Sequence, residues 1–252
     1  MPDGGRRPTD PPAFAGAALA RLAGFAPSPV LDGRLRRAAA LCEACADVPP
    51  DADHPAWAAL LDAVTVQETR LFRHPGQFAA LPLPDLAARA HGEARPLRLL
   101  SAGCATGEEA FSLAALARAE GAFPAEVLGL DLCRPALDSA RTGRVTDGLG
   151  DSLAWVPPAC RAWFAGGQAD PVIMAACRFR RANLLDLPPD LGAFDVVFCR
   201  NVLIYLVEEA RAAVLRRLLA LLRPGGVLAL GPTDRGPDNG EALGEALWRK
   251  AD

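Results

Sequence analysis

The stretch Leu97 to Glu120, LRLLSAGCATGEEAFSLAALARAE, limits what this chain can fold into more than any other. Leu97, Leu99 and Leu100 make a short buried strand, Ser101 to Gly107 is built of small residues, and from Glu108 apolar side chains recur at helical spacing. Strand, tight glycine turn and helix follow without a gap. Gly103 and Gly107 are needed because the backbone bends sharply there and a ligand can approach the amides at the helix start. The adjacent carboxylates Glu108 and Glu109 argue against a bound phosphate, which favours lysine or bare amides. A ribose hydroxyl or an α-amino group is served well by a carboxylate, so the turn suits a nucleoside-like cofactor.

The rest of the chain is that of a globular protein. Its 252 residues are 51% apolar and 23% charged, enough for one large core with a small helical attachment. A net charge of −3 gives no general attraction to nucleic acid or to an anionic membrane surface, and neither is expected as a partner. No segment is long and uncharged enough to insert into a membrane, and Asp10, Pro11 and Pro12 after Arg6 and Arg7 do not read as a secretory leader. The seven cysteines are an odd number scattered through apolar stretches, as expected of free thiols in the cytoplasm. Cys42 and Cys45 form a CxxC in an alanine-rich helical run with no second pair, so no metal site is expected.

In chain order, residues 1–12 are a disordered tail of Gly, Pro and charge. Residues 13–81 form a small helical domain and linker: two helices within Ala13 to Asp47, a turn-rich link, and a third helix from Ala56 to Val64. Arg34, Arg36 and Arg37 suit a solvated helix face or an acidic partner. The segment VTVQETRLFRHPGQFAAL, Val64 to Leu81, breaks at Pro75 and Gly76. It reads either as a plain connection or as a loop folding over the glycine turn with Arg73. Residues 82–252 carry the sheet. The second strand runs from Glu126 to Leu130 and delivers Asp131 to its tip, where dinucleotide- and nucleoside-binding α/β folds hold ribose hydroxyls.

Gly143 to Arg178, aromatic and irregular, reads as a small insertion. A third strand around Arg178 to Arg181 has the charge pattern of an edge and leads into Asn183 and Leu184. FDVVFCRNVLIY, Phe194 to Tyr205, is a strand buried on both faces whose end brings Cys199, Arg200 and Asn201 to the rim that holds Gly103 and Asp131. Tyr205 is the chain's single tyrosine. Glu208 to Leu222 is an amphipathic helix stopped by Pro224, Gly225 and Gly226. Val227 to Leu230 is a strand, and Leu247 to Lys250 an antiparallel edge. The class is α/β, a doubly wound and mostly parallel sheet.

The series QETRLFR, SAGCATGEEAFS, Asp131, NLLD, FDVVFCRNVLIY and LLRPGGVLALG resembles the CheR-type chemotaxis-receptor glutamate O-methyltransferases, in order and at compatible spacing from about Ala56 to Lys250. The resemblance implies a class I, Rossmann-like methyltransferase domain at 82–252. It implies S-adenosylmethionine as cofactor, S-adenosylhomocysteine as product, and methyl esterification of glutamates on the cytoplasmic helices of a chemoreceptor. Carried over residue by residue, Gln67, Thr69 and Arg73 cover the cofactor, with Arg73 at the reacting end. Gly103, Glu109 and Asp131 bind the cofactor, Asn183 and Leu184 border its adenine, and Cys199 and Arg200 line the pocket through the main chain. Arg73 and Tyr205 are the catalytic pair. The chain departs from the family at Gln67 (asparagine there), Leu71, Ala110, Phe111 and Cys133 (an acid there). The helical part is shorter than usual and the insertion lacks clear alternating strands. A same-fold methyltransferase with a different protein or small-molecule acceptor, or a non-catalytic S-adenosylmethionine-binding module, shares most of these features. A dehydrogenase does not, because SAGCATGEE lacks the GxGxxG spacing.

Overall fold

The structure, a computed structural model, describes residues 9–145, 153–237 and 239–251. These residues fall into two compact units, one of the residues up to Val66 together with Tyr205–Ala213, the other of Gln67–Ile204 and Val214–Asp252.

The first unit is helical: α1 (Pro11–Ala23), α2 (Pro29–Arg37), α3 (Ala39–Cys45) and α4 (Pro55–Val64). Proline opens α1, α2 and α4, where its missing N–H costs nothing, and the preceding residue caps each start. Asp10 Oδ1 accepts from Ala13 N at 3.1 Å, Ser28 Oγ from Leu31 N at 3.1 Å and His54 Nδ1 from Ala56 N at 3.2 Å. Pro11 and Pro12 are therefore helical, a correction to the tail expected over 1–12, whose residues 1–8 lie outside the described residues. Ala13 to Asp47 holds three helices instead of the two expected, because Ala38 (φ −100°, ψ 26°) interrupts the run with its N–H turned back onto Arg34 and Leu35. Cys42 and Cys45 are buried in this unit's core with Leu19, Leu35 and Trp57.

The second unit begins with α5 (Pro75–Ala79) and α6 (Leu83–Gly92), so Pro75 and Gly76 start a helix where a break was expected. Then β1 (Leu97–Ala102), α7 (Glu108–Ala119), β2 (Ala125–Asp131), α8 (Arg134–Thr142), α9 (Pro171–Ala176), β3 (Cys177–Arg181), β4 (Phe194–Cys199), α10 (Glu208–Leu221, shared between the units), β5 (Leu222–Leu230), β6 (Gly240–Gly244) and β7 (Leu247–Lys250) build one sheet of order β3-β2-β1-β4-β5-β7-β6. The first five strands in that order are parallel, and β7 runs antiparallel to both β5 and β6. The chain winds outward from β1 through β2 to β3 and then returns to lay β4 on the other side of β1. The carboxyl ends of β1 and β4 thus frame the switch point where open α/β sheets bind ligands.

Burial follows position. All six residues of β4 are buried, as are five of the six in β1, whereas β3 alternates as an edge strand does. At the opposite end, Arg95 grips Asp195 with two bonds of 2.7 and 2.8 Å, and Asp195 Oδ2 also accepts from Arg98 N at 2.9 Å, locking the starts of β1 and β4 together. Leu247 to Lys250 is antiparallel as expected, but it is an inner strand: β6, whose sequence GEALG carries no strand signal, takes the edge beyond it. Pro224 to Gly226 belong to a bulged start of β5 instead of a stop before it. Within the insertion, Val156, Cys160, Phe164, Ala169 and Ile173 join the sheet's core, and β3 begins at its end with Cys177.

Candidate functional site

Gly103 (φ +83°) and Gly107 (φ +99°) carry the turn after β1 through backbone angles that a side chain would strain, and a Cβ at Gly103 would lie 2.3 Å from Val202 Cγ2. Four of the turn's amides are spent internally. Gly103 N and Cys104 N both donate to Leu130 O, at 2.7 and 2.9 Å, Gly107 N donates to Cys104 O at 2.9 Å, and Ala105 N donates to Asp131 Oδ2 at 2.8 Å. The expected approach of a ligand to the amides is thereby corrected at these four: the turn is tied to the end of β2. What it frames is the Asp131 carboxylate. Oδ1 accepts from Cys133 N at 2.9 Å, so each oxygen of the carboxylate is held by backbone. Burial raises the Asp131 carboxyl above its ordinary value, while backbone N–H donors from Cys133, Ala105 and Leu132 pull it back.

At the end of β4, Arg200 is buried and held through Nε and Nη1. Its Nε donates to Glu109 Oε2 at 2.7 Å, and its Nη1 donates to Gln77 Oε1 at 3.0 Å and to Arg73 O. Its guanidinium lies 4.9 Å from the Phe78 ring centroid and 5.1 Å from that of Phe198. Glu109 Oε1 accepts from Ser101 Oγ at 2.7 Å, so both oxygens of Glu109 have internal donors. Burial pushes Arg200 below its ordinary value, and the Glu109 carboxylate opposes that shift. These two charges stabilise one another where water does not reach.

Arg73 stands between two residues in the left-handed region, Phe72 (φ +48°) and His74 (φ +58°). Such backbone costs about 1–3 kcal/mol per residue and persists only where its surroundings hold it. Phe72 is held by its fully buried ring and by its N–H, which donates to Ser112 Oγ at 2.9 Å; Arg73 is held by Arg200. The Arg73 guanidinium is turned onto Glu68, donating from Nη1 to Glu68 O at 3.1 Å, with Nη2 3.6 Å from Glu68 Oε1. Gln67 and Thr69 are half-buried on the same loop, and Gln67 Oε1 is a buried acceptor with no donor. Arg70 lies over the half-exposed Trp155 ring, 4.6 Å from its centroid.

Beyond β3, Ala182 N donates to Asp131 O at 3.0 Å and fixes Asn183 and Leu184, both half-buried, near the Asp131 rim. Asn183 Oδ1 accepts from Leu185 N at 3.0 Å, shaping a tight turn. The Cys199 side chain is fully buried and its thiol is pushed up by desolvation, which leaves the main chain for any contact. The structure therefore brings Arg73, Glu109 and Arg200 together in one cluster, and Gly103, Asp131 and Asn183 around a second. Tyr205 belongs to the first unit, where its carbonyl accepts from Ala26 N at 2.8 Å. Two further residues gain importance, Asn201, which the sequence placed at the rim without a role, and Gln77. Asn201 adopts φ +57° with Oδ1 buried and without a donor, and its signal was a turn-tolerant side chain straight after a buried strand. Gln77 offered no signal at all. Among the described residues no group of three His, Cys, Asp or Glu side chains could hold a metal.

The chemistry of the rim fits S-adenosylmethionine. Its ammonium, ribose hydroxyls and adenine amine are all donors. Acceptors are at hand: the Asp131 carboxylate at the rim, and the donorless buried oxygens Gln67 Oε1 and Asn201 Oδ1. Among known proteins, residues 67–245 match the family described as CheR methyltransferase, SAM binding domain. Chemotaxis protein methyltransferase 1 of Pseudomonas aeruginosa is 37% identical over 191 residues, covering 69% of this chain and 68% of that protein. The chemotaxis protein methyltransferase of Vibrio parahaemolyticus is 34% identical over 190 residues, covering 70% and 67%. A solved S-adenosylmethionine dependent methyltransferase from Mesorhizobium loti is 24% identical with a TM-score of 0.35, covering 62% of this chain and 51% of that one. With its fold, its acceptor-lined rim and a match across more than half of its length, this chain belongs to the CheR methyltransferase family and is an S-adenosylmethionine-dependent methyltransferase.

Proposed function

We propose that this methyltransferase esterifies glutamate side chains on the cytoplasmic helices of chemoreceptors, and that it works in the cytoplasm. The observation that supports the reading is the Asp131 carboxylate held at the strand-end rim in a chain of this family, with Arg73 on the loop that Arg200 fixes. No described helix is long and apolar enough to cross a membrane.

The Asp131 carboxylate would accept from the ribose hydroxyls, and Gln67, Thr69 and Asn201 would take the cofactor's other donors. Gly103 gives close approach, and Asn183 and Leu184 border the adenine. Cys199 contributes main chain only, while Glu109 and Arg200 set the shape of the pocket from behind. When bound, S-adenosylmethionine supplies an electrophilic methyl group on a sulfonium. The acceptor needs no general base, because a glutamate carboxylate with an ordinary pKa of about 4.3 is anionic at neutral pH. Arg73 orients it. The guanidinium that now rests on Glu68 O and Glu68 Oε1 exchanges those partners for the incoming carboxylate, an anion for an anion. Tyr205, placed by the CRNVLIY motif alone, steadies the same carboxylate through its hydroxyl. Alignment of acceptor and methyl accounts for on the order of 7–11 kcal/mol of barrier lowering in well-oriented systems, so the residues have only to bind, aim and exclude water.

The test is incubation with methyl-labelled S-adenosylmethionine and the purified cytoplasmic fragment of a chemoreceptor from the same organism. Label released as methanol by alkali is expected. Label that survives alkali, or appears only on a small molecule or another protein, overturns the acceptor assignment; cofactor binding without transfer to any acceptor overturns the catalytic one.

A further inference from the structure

Gln77 has taken no part so far in binding or chemistry, yet it is one of the few polar side chains buried in the unit, at 5% exposure. Its Nε2 lies 2.9 Å from Leu230 O at the end of β5, and 3.1 and 3.2 Å from Glu245 O and Ala246 O just before β7. Its Oε1 accepts from Arg200 Nη1 at 3.0 Å, and that same Nη1 donates to Arg73 O. One amide side chain thus spans from three sheet-edge carbonyls to the guanidinium that fixes the Arg73 peptide. Phe72 and His74, on either side of that peptide, are both in the left-handed region, so the direction in which Arg73 leaves the loop depends on the Arg73 carbonyl staying where Arg200 holds it. Arg200 itself is fixed at Nε by Glu109, and at Nη1 by Gln77. Glu109 sets the guanidinium's place, and Gln77 sets its tilt.

We propose that Gln77 is a positioning residue for methyl transfer: through Arg200 it fixes the Arg73 peptide and so aims the Arg73 guanidinium at the acceptor. The proposal rests on the reading of Arg73 as the residue that orients the acceptor carboxylate. Gln77→Met keeps length and apolar bulk while removing both polar ends. With Gln77 acting through Arg73, its kcat falls at least about tenfold, the fold-change given by roughly 1.4 kcal/mol, the net size of one buried hydrogen bond, while affinity for S-adenosylmethionine measured by calorimetry changes less than threefold. A purely structural role would add to any other lesion, whereas here the loss vanishes in an Arg73→Ala background, since there is nothing left to aim.

The second readout needs no cofactor and no turnover. Amide hydrogen exchange of peptides covering Thr69 to Gln77 is expected to speed at least tenfold in Gln77→Met and to stay unchanged in Arg73→Ala, whose carbonyl still meets Arg200. Unchanged exchange in Gln77→Met, or kcat losses that multiply in the double variant, overturns the proposal. Should Gln77→Met fail to fold, Gln77→Asn, with both polar ends on a chain one methylene shorter, carries the same two measurements. If the wild type methylates no receptor fragment, the acceptor assignment fails alone, and the exchange measurement still decides the place of Gln77.

Discussion

Removing the Glu109 carboxylate should expose how much the Arg200 cluster contributes. The pair meets at 2.7 Å with side chains only 2% and 10% exposed, so neither charge has water to fall back on. Breaking a buried pair by deleting one partner costs about 3–5 kcal/mol, because the survivor keeps its desolvation penalty without its attraction. Glu109→Leu should therefore lower the melting temperature by roughly 6–20 °C, at about 2–4 °C per kcal/mol for a chain of this size. Arg200→Met should cost a similar amount, since it leaves Glu109 as an unpaired anion and frees Gln77 Oε1 and Arg73 O. The double variant removes both charges, and a buried pair replaced by apolar side chains is often neutral. Its remaining cost is the unmet acceptors, about 1–3 kcal/mol each. The double variant should thus fall short of the summed single losses by roughly 3 kcal/mol or more. Scanning calorimetry of the four proteins gives the cycle directly. A Glu109→Leu shift below about 2 °C, or losses that add, would refute the view that these charges depend on one another.

Asp131→Asn keeps one acceptor oxygen but trades the other for a donor. Calorimetry should show S-adenosylmethionine affinity falling roughly 10- to 150-fold, the worth of about 1.5–3 kcal/mol for bonds to a charged group. Because burial raises the Asp131 carboxyl, wild-type affinity should drop on acidification at a pH above the ordinary aspartate value of 3.8, and that acid limb should be missing from Asp131→Asn. His74 is lowered below 6.5, chiefly by burial and then by Arg200, Arg73 and Arg70, and its Nε2 has no acceptor. Stability should be full above pH 6.5 and be lost as pH falls from there to the folded-state value, since the unfolded chain binds that proton first; His74→Asn, which tolerates φ +58°, should flatten this limb in urea titrations. Arg73→Ala should cut kcat far more than cofactor affinity, and equal losses in both would remove Arg73 from the acceptor side.

What the sequence disclosed was local. The β1, glycine turn and α7 unit was readable because a buried strand, small residues and a helical repeat lie side by side, and Asp131 because an acid closes an apolar strand. GEALG gave no sign of β6, since a glycine-bounded edge strand takes its shape from pairing with β7 and not from its own propensities. The break at Ala38 was equally silent in an alanine-rich run that favours helix throughout. At the site, Glu109 read as a carboxylate for the cofactor beside the glycine turn, but its partner Arg200 lies 91 residues away, and Gln77 meets Leu230 across 153. Bonds of that separation depend on which strands become neighbours, and no periodicity encodes them.

The central proposal is that a receptor glutamate, and no other group, receives the methyl. Tandem mass spectrometry of a receptor cytoplasmic fragment after reaction, repeated with a fragment whose modified glutamates are changed to alanine, reads this most directly. One added methylene on glutamate side chains, absent from the alanine fragment and from reactions with Arg73→Ala, is the expected result. Methylation located on lysine, arginine or a terminus, or persisting in the alanine fragment, would contradict it.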